Sequence, residues 1–588
     1  MTEFQHHLGC LFARQFIREN LILRGAYRVT GTETAADSGS VAILSCGKPH
    51  PGAALPRGCS RPAPGTGEGR GNVPTGTLRE TIYPGPAMKY ERVLPDAPLV
   101  AGRATEERLR SSWPWAAKDG IDRTMMMDAK TNGEVSFWYA DIGGVPGCRK
   151  PLPGSIEADV CIIGAGFTGL WTAYYLTEAE PSLRIVVVEK EFAGFGASGR
   201  NGGWCTGEFG WNRERYLSTG SREGVIDFER QLRATVAEVK RVTEKEGIDC
   251  DFLMTDCLTF AQSPAQWDRL QADHAAAMSW QVPPGRLELI DGPEATSRIR
   301  VPNAHGALVR HNVARVQPAK LVRGLADAVE RRGVRIYEQT TVTGLEKGRV
   351  ITDRGTVRAK RIVRATEGFT HGIAGQRREW VPMNSAILVT EPVPDALWDQ
   401  IGWDGCQLLA DASHAYCYAQ RTREGRIAMG GRGVPYRFGS KTDVRGQTQP
   451  ATVEKLKEIL FRMLPQTRGL ALDHAWCGVL GVPRDWCATA GLDRETGIGW
   501  AGGYVGLGVS TSNLSGQTLA DLVLDKQTGR TTLPWVNRKP RKWEVEPFRW
   551  LGIHGMYQLY HMADRQERAK GGRTTSPLAI LANTLTGR

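Results

Sequence analysis

Residues 160–163, Val-Cys-Ile-Ile, form an uninterrupted apolar run followed at once by glycine. Such a run is too short for a helix and predicts a strand buried on both faces. Apolar residues then recur at helical spacing from Phe167 until Pro181 stops them, and residues 184–188, Arg-Ile-Val-Val-Val, repeat the buried-strand pattern. Residues 221–247 place Val225, Phe228, Leu232, Val236 and Val239 on one face, which predicts a long amphipathic core helix. Strand patterns at 252–261 and 306–313 flank a helical one at 265–280. Pro318 opens and Gly333 closes a further helix over 319–332. Strands are expected at 334–337 and 360–368, with extended chain at 340–343 and a hairpin of 348–352 with 356–358 about Asp353-Arg-Gly355. Short strands at 384–392, 415–420 and 426–430 suit an antiparallel sheet. Helices at 453–464 and 513–524, a core strand at 498–501 between them and a helical tail at 546–568 complete the pattern.

Composition narrows the class. The 588 residues, 41% hydrophobic and 23% charged, suit two or three soluble domains. The net charge of +12 is spread along the chain and not gathered into a Lys/Arg run, so no nucleic-acid partner is expected. The twelve cysteines are scattered, which fits reduced thiols in a cytoplasm. The eleven histidines show no helical metal spacing, and no metal site is expected. No apolar run reaches transmembrane length, and Arg14, Arg18, Glu19 and Arg24 interrupt the N-terminal apolar residues, so neither a membrane span nor a secretory signal is predicted. Residues 30–103 are rich in Gly, Pro, Ser, Thr, Ala and Arg and cannot bury a core. Residues 1–124 are accordingly expected to be a disordered or weakly ordered extension, with the biological start near Met125, Met126 and Met127.

The chemistry is concentrated in the glycines. Gly164-x-Gly166-x-x-Gly169 joins the first strand to its helix. Gly164 permits a tight turn, Gly166 lets backbone N–H groups approach a pyrophosphate, and Gly169 lets the helix pack on the strand. The helix N-terminus then aims its free N–H groups and positive dipole end at the phosphates. Glu189 closes the second strand, where a carboxylate accepts hydrogen bonds from a ribose 2′-hydroxyl. Strand, glycine triplet, helix, strand and terminal acid in register predict a dinucleotide-binding unit. A second glycine-rich loop runs from Gly194 to Trp204, and a third, Gly502-Gly-Tyr-Val-Gly506-Leu-Gly508, precedes a helix whose N-terminus would stabilise negative charge.

Taken in order, these blocks resemble the D-amino-acid-oxidase-like flavoprotein superfamily, in its γ-glutamylputrescine-oxidase-like and sarcosine- or glycine-oxidase-like branch. The resemblance rests on the first triplet with Glu189, on Gly196-Ala-Ser-Gly-Arg-Asn-Gly-Gly203, on Gln317-Pro-Ala-Lys320-Leu with Val342, on Ala365-Thr-Glu-Gly368, on Gly430-Gly-Arg-Gly433, and on Gly502-Gly-Tyr-Val-Gly506. It spans about residues 135–550. It implies FAD, bound non-covalently, since no Cys or His stands in clear register for a flavin linkage; Cys477 beside Trp476 is better explained as a buried small thiol. It implies that Gly164, Gly166 and Gly169 cradle the pyrophosphate and that Glu189 holds the ribose. Ser198, Arg200, Asn201 and Gly202 would pass the pyrophosphate and flavin, Val342 would meet the adenine through its backbone, and Gly503, Gly506 and Val509 would lie under the isoalloxazine. Leu507 and Gln517 stand where related sequences carry a more polar residue and an Arg.

The resulting fold class is α/β: a Rossmann-like FAD-binding domain with an inserted antiparallel-sheet substrate domain. The FAD domain is expected from 155–210, 312–380 and 488–530, the substrate domain from 211–311 and 381–487, and a C-terminal helical tail from 531–588. The expected reaction is oxidation of the C–N bond of a small amine or amino acid to an imine, with electrons passing to O2 or another acceptor. Trp204, Tyr418, Arg421, Arg432 and Trp476 are the candidates to shape the substrate site, with Arg432 gripping a substrate carboxylate as a planar fork. The alternatives are a flavin dehydrogenase that does not use O2, an NAD-dependent dehydrogenase, and a non-catalytic nucleotide-binding protein.

Overall fold

The computed structural model describes residues 129–431 and 435–586. The expected extension over 1–124 lies outside these residues, as does Arg432. Two sheets organise the described chain. The first has the order Thr489–Asp493, Ile498–Gly502, Gly355–Arg364, Ile156–Ile163, Ile185–Val188 and Arg335–Tyr337. Its last five members run parallel, and Thr489–Asp493 is an antiparallel edge. Its central strand is buried on both faces, as the apolar run required. Val160 and Ile162 join a cluster with the helices Phe167–Ala179, Arg222–Glu246, Pro318–Arg331 and Gly508–Val523. Cys161 and Ile163 face the other way, onto a meander of Val342–Glu346, Arg349–Thr352 and Gly355–Arg364.

The second sheet has ten strands in the order Thr131–Asn132, Leu472–Pro483, Trp380–Thr390, Ile427–Gly431, Cys417–Arg421, Leu408–Asp411, Leu253–Ala261, Gly306–Arg315 and Trp204–Cys205, with Leu287–Asp291 branching onto Gly306–Arg315. This sheet is mixed, which corrects the expected antiparallel one: Thr131–Asn132 lies parallel to Leu472–Pro483, and Leu408–Asp411 parallel to Leu253–Ala261. Leu408–Asp411 is entered from the helix Asp395–Ile401 and not from a hairpin with Leu253–Ala261, so that pairing can take the parallel sense. The helices Gly292–Arg298, Asp395–Ile401 and Pro450–Met463 cover one of its faces through Ala295, Trp398, Ile401, Leu456 and Leu460.

Most expected elements are present with shifted ends. The long helix runs Arg222–Glu246, with Ser221 accepting the Gly224 N–H and Gly247 closing it at φ +66°. Residues 355–364 form one strand where two were expected, and residues 367–372 turn into a short 3-10 helix. The helix expected from Asn513 starts at Gly508. Gly-Val-Ser-Thr-Ser has the composition of a loop, yet its buried hydroxyls bond back to the helix, Thr511 Oγ1 to the Leu507 carbonyl at 2.7 Å and Ser515 Oγ to the Thr511 carbonyl at 3.0 Å. The earlier start carries the positive helix end to the Gly502–Gly506 loop.

Candidate active site

The site is built where parallel strands end and helices begin. Ile156–Ile163 and Ile498–Gly502 each lead through glycines into a helix, so Phe167–Ala179 and Gly508–Val523 both start at the C-terminal edge of the sheet. These two helices cross in close contact: a Cβ on Gly516 would lie 2.5 Å from the Trp171 Cβ. Their N-termini are tied by hydroxyls, Thr168 Oγ1 to Tyr504 Oη at 2.7 Å and Tyr504 Oη to Ser515 Oγ at 3.0 Å. Two positive helix ends thus face one crevice, the place where open α/β sheets bind ligands.

The first turn has the geometry its glycines predict. Gly164 has φ +102°, and a Cβ there would meet the Ala365 carbonyl oxygen at 2.7 Å. A Cβ on Gly169 would stand 2.1 Å from the Gly164 carbonyl oxygen, so the helix can approach the turn only without a side chain. Gly166 faces Ser198, whose Oγ accepts the Phe167 N–H at 2.8 Å. Glu189 accepts the N–H groups of Ala165 at 2.8 Å and Glu191 at 3.0 Å. Burial pushes its carboxyl above the usual range, and those two N–H groups pull it back.

The second loop is locked from behind. Arg200 is almost fully buried and pairs with Asp443 at 2.7 Å, while its Nε donates to the Phe195 carbonyl at 2.7 Å. Its Nη2 is buried with no partner among the described residues. Trp138 Nε1 donates to the Asn201 carbonyl at 2.7 Å and Trp476 Nε1 to the Arg200 carbonyl at 2.9 Å. Asn201 folds inward, donating to the Ser198 carbonyl at 2.8 Å and accepting the Gly203 N–H at 2.8 Å. A Cβ on Gly202 would lie 2.6 Å from the Tyr418 ring.

The third loop is held by an acid the sequence did not single out for a role. Glu367 Oε2 accepts the Gly503 N–H at 2.9 Å, and Oε1 accepts the Tyr504 N–H at 3.4 Å. Gly503 and Gly506 have φ of +79° and +102°, which lets the loop bend round this carboxylate. Burial raises the Glu367 carboxyl to about 7 despite those donors.

Between the loops and the ten-stranded sheet lies a cavity of about 810 Å3. Arg200, Asn201, Gly202, Gly506 and Val509 line it, with Trp204 and Tyr418 from the sequence-derived substrate set. The rings of Trp204 and Tyr418 meet edge to face at 5.8 Å. Trp476 and Arg421 lie elsewhere. Trp476 is fully buried one layer behind the cavity, its ring 5.9 Å from Trp138, and it positions the Arg200 peptide. Arg421 stacks 4.0 Å over the Trp398 ring and donates to the Trp403 carbonyl at 2.8 Å. Val342 begins the meander on the far side of the first sheet. Cys477 is buried, donates weakly to the Gln447 carbonyl at 3.2 Å, and has its thiol pushed up to about 12 by burial.

The cavity also holds charged side chains that pattern reasoning missed. Glu208 and Arg310 form an ion pair in its wall. Asp273 faces it, held above the usual carboxylate range by the protein around it against the pull of Arg310, Arg269 and Arg213. The one available signal was Arg310, a charge in the middle of the apolar strand Gly306–Arg315.

The chain matches the family described as FAD dependent oxidoreductase over residues 159–522. It belongs to that family. It is 28% identical over 409 residues to the gamma-glutamylputrescine oxidoreductase of Escherichia coli, covering 66% of this chain and 89% of that protein. It is 26% identical to the sarcosine oxidase subunit beta of Rhizobium meliloti, over 58% of this chain and 78% of that one. The fold superposes on glycine oxidase from Geobacillus kaustophilus with a TM-score of 0.56 at 19% identity, over 66% of this chain and 99% of that chain. The chain is therefore an FAD-dependent oxidoreductase. Its residues fit the cofactor: the turn at Gly164–Gly169 has no room for side chains, two helix N-termini converge on it, and the buried Arg200 Nη2 still has a hydrogen bond to give. Among the described residues, no helix is long and apolar enough to cross a membrane.

Proposed function

We propose that this chain oxidises the C–N bond of an amine or amino acid to an imine, using non-covalently held FAD and passing the electrons to O2 or another acceptor. The supporting observation is the cavity itself, which runs from the Gly506–Val509 helix start to Trp204, Tyr418 and the charged wall of Glu208, Arg310 and Asp273. The names of the gamma-glutamylputrescine oxidoreductase and sarcosine oxidase relatives point to the same bond type. When bound, FAD would supply the acceptor for the hydride, with its two electrons, removed from the carbon next to nitrogen.

The protein's part is binding and orientation. In this reading Gly164, Gly166 and Gly169 hold the pyrophosphate against the helix N-terminus, with Ser198 and Arg200 beside it, and Glu189 takes the ribose hydroxyls. Asn201 and Gly202 shape the passage to the cavity, and Val342 meets the adenine. Gly503, Gly506 and Val509 bring the second helix end to the ring, where its dipole favours negative charge. Non-covalent binding is supported by the thiols: Cys257 in the cavity wall and Cys477 behind it are both pushed up to about 12 by burial and stay protonated, so neither is a ready nucleophile. We assign the FAD domain to 155–210, 312–380 and 488–530 and the substrate domain to 211–311 and 381–487, with the Trp204–Cys205 and Gly306–Arg315 strands crossing into the second sheet. The tail assigned to 531–588 is helical over Phe548–Lys570 and Pro577–Thr586.

A neutral amine has the lone pair that helps expel hydride, so the rate of anaerobic flavin reduction should rise with pH as the bound amine loses its proton and then level off. Stopped-flow absorbance across pH with one amine tests this. A rate that falls with rising pH would refute it.

A further inference from the structure

The family match ends at residue 522, yet the cavity wall does not. Tyr557 and Tyr560 on the helix Phe548–Lys570, and Asn583 and Thr586 on the helix Pro577–Thr586, line the same cavity as Gly506, Trp204 and Tyr418. We propose that these two C-terminal helices form the far wall of the substrate cavity, and that Tyr560 and Asn583 select amines bearing a hydrogen-bonding group at the end remote from the oxidised nitrogen. The proposal rests on the amine-oxidation reading for the bond that reacts, but the wall assignment stands on geometry.

Three fastenings hold the wall against the rest of the site. Asp564 accepts the N–H groups of His414 at 2.8 Å and Ala415 at 3.0 Å, in the turn between two strands of the larger sheet. Glu567 takes His414 Nε2 at 2.8 Å, Arg269 Nη2 at 3.2 Å and the Ser576 N–H at 2.9 Å, so it joins both helices to the helix Pro264–Ser279. Arg215 Nη2 donates to the Thr586 carbonyl at 2.9 Å and its Nη1 to the Asp485 carbonyl at 3.1 Å. These contacts tie the last helical turn to elements within the family core. A surface appendage would need none of them.

The chemistry of the wall is neutral and polar. Tyr560 Oη donates to Asn583 Oδ1 at 3.0 Å, and Thr586 Oγ1 lies 3.2 Å from Tyr560 Oη. Thr586 also bonds back to the Ala582 carbonyl at 2.8 Å. Asn583 has two N–H donors on Nδ2, and among the described residues no acceptor takes them. A substrate tail with a carbonyl oxygen satisfies Asn583, whereas an alkyl tail strips water from it and returns nothing. One neutral hydrogen bond gained in this way corresponds to about fivefold to tenfold in affinity.

The test compares two primary amines of equal length, one ending in a carboxamide and one in a methyl group, on the FAD-loaded full chain. The concentration dependence of anaerobic flavin bleaching gives an apparent Kd and a limiting rate for each. Hydrogen–deuterium exchange of residues 577–586 reports contact with the wall without any turnover. Wild type should bind the carboxamide about fivefold to tenfold tighter, and that amine should protect 577–586. Asn583→Leu should erase the preference by weakening the carboxamide to the apparent Kd of the alkylamine, with the FAD content retained. Tyr560→Phe should reduce the preference by loosening Asn583. Equal affinities in wild type, a preference that survives both variants, or no protection of 577–586 would overturn the proposal. Protection of 577–586 with no bleaching by any amine would support the wall and overturn the amine-oxidation reading instead.

Discussion

Replacing Glu367 by Gln removes a titrating acid from beneath the Gly502–Gly506 loop while keeping an acceptor of similar shape. In the folded protein the Glu367 carboxyl titrates at about 7, against an ordinary 4.5, with burial as the largest cause. An acid with a raised folded pKa binds its proton more tightly folded than unfolded. Its contribution to stability is therefore complete below pH 4.5 and lost as pH rises through 7. The difference of about 2.5 units corresponds to at most about 3 kcal/mol. That value already includes the N–H donors on the ionised form, and the partial exposure of the side chain keeps the real figure below the ceiling. The assay is urea unfolding of wild type and Glu367→Gln, both freed of FAD, from pH 5 to pH 8.5. Wild type should lose stability relative to the variant across that range, with most of the change between pH 5 and 7. A stability difference that stays flat with pH would show that Glu367 is ionised throughout and that the loop rests on a charged acceptor.

Other expectations are independent of that group. Gly166→Val drives side-chain carbons against Ser198 Oγ, which would stand only 2.9 Å from a Cβ at that position, and should yield protein without FAD; retention of the flavin absorbance at full occupancy would refute the placement of the pyrophosphate. Asp443→Ala leaves the buried Arg200 unpaired and should cost about 3–5 kcal/mol in chemical unfolding, whereas an exposed pair would cost less than about 1. Glu567, pushed up by burial but held down to about 2 by His414 and Arg269, contributes stability that is present above the ordinary carboxylate range and lost as pH falls towards 2; hydrogen exchange should show the C-terminal helices loosening only at that acid end. Arg432→Ala should weaken carboxylated substrates and spare simple amines, and Arg432→Lys should restore binding only in part, since a point charge lacks the planar fork; equal losses for both substrate types in anaerobic reduction would remove Arg432 from the site.

The nucleotide half of the fold was legible because its signals are local. Strand, glycine triplet, helix and Glu189 fall within about thirty residues, and each glycine has a steric reason to be there. The strand Leu472–Pro483 went unseen because it is buried along nearly its whole length, so Leu-Asp-His-Ala-Trp-Cys-Gly-Val-Leu-Gly-Val-Pro shows no alternation. Thr489–Asp493 and Leu408–Asp411 are too short to carry a period. Trp476 has the residue type of a substrate wall, but its side chain points into the cluster of Phe137 and Trp138, and strand direction alone decides that. Glu208, Asp273, Arg310 and Asn583 come together only through tertiary folding, from elements about 375 residues apart in the chain.

The most direct test of the central claim is anaerobic titration of the purified full-length chain with a panel of amines, amino acids, alcohols and 2-hydroxy acids, followed by flavin absorbance. The protein should be yellow, and its flavin should be released intact on denaturation. At least one amine or amino acid should bleach the bound flavin, with the carbonyl product of imine hydrolysis in equal amount. Bleaching by an alcohol or 2-hydroxy acid and by no amine would contradict amine oxidation.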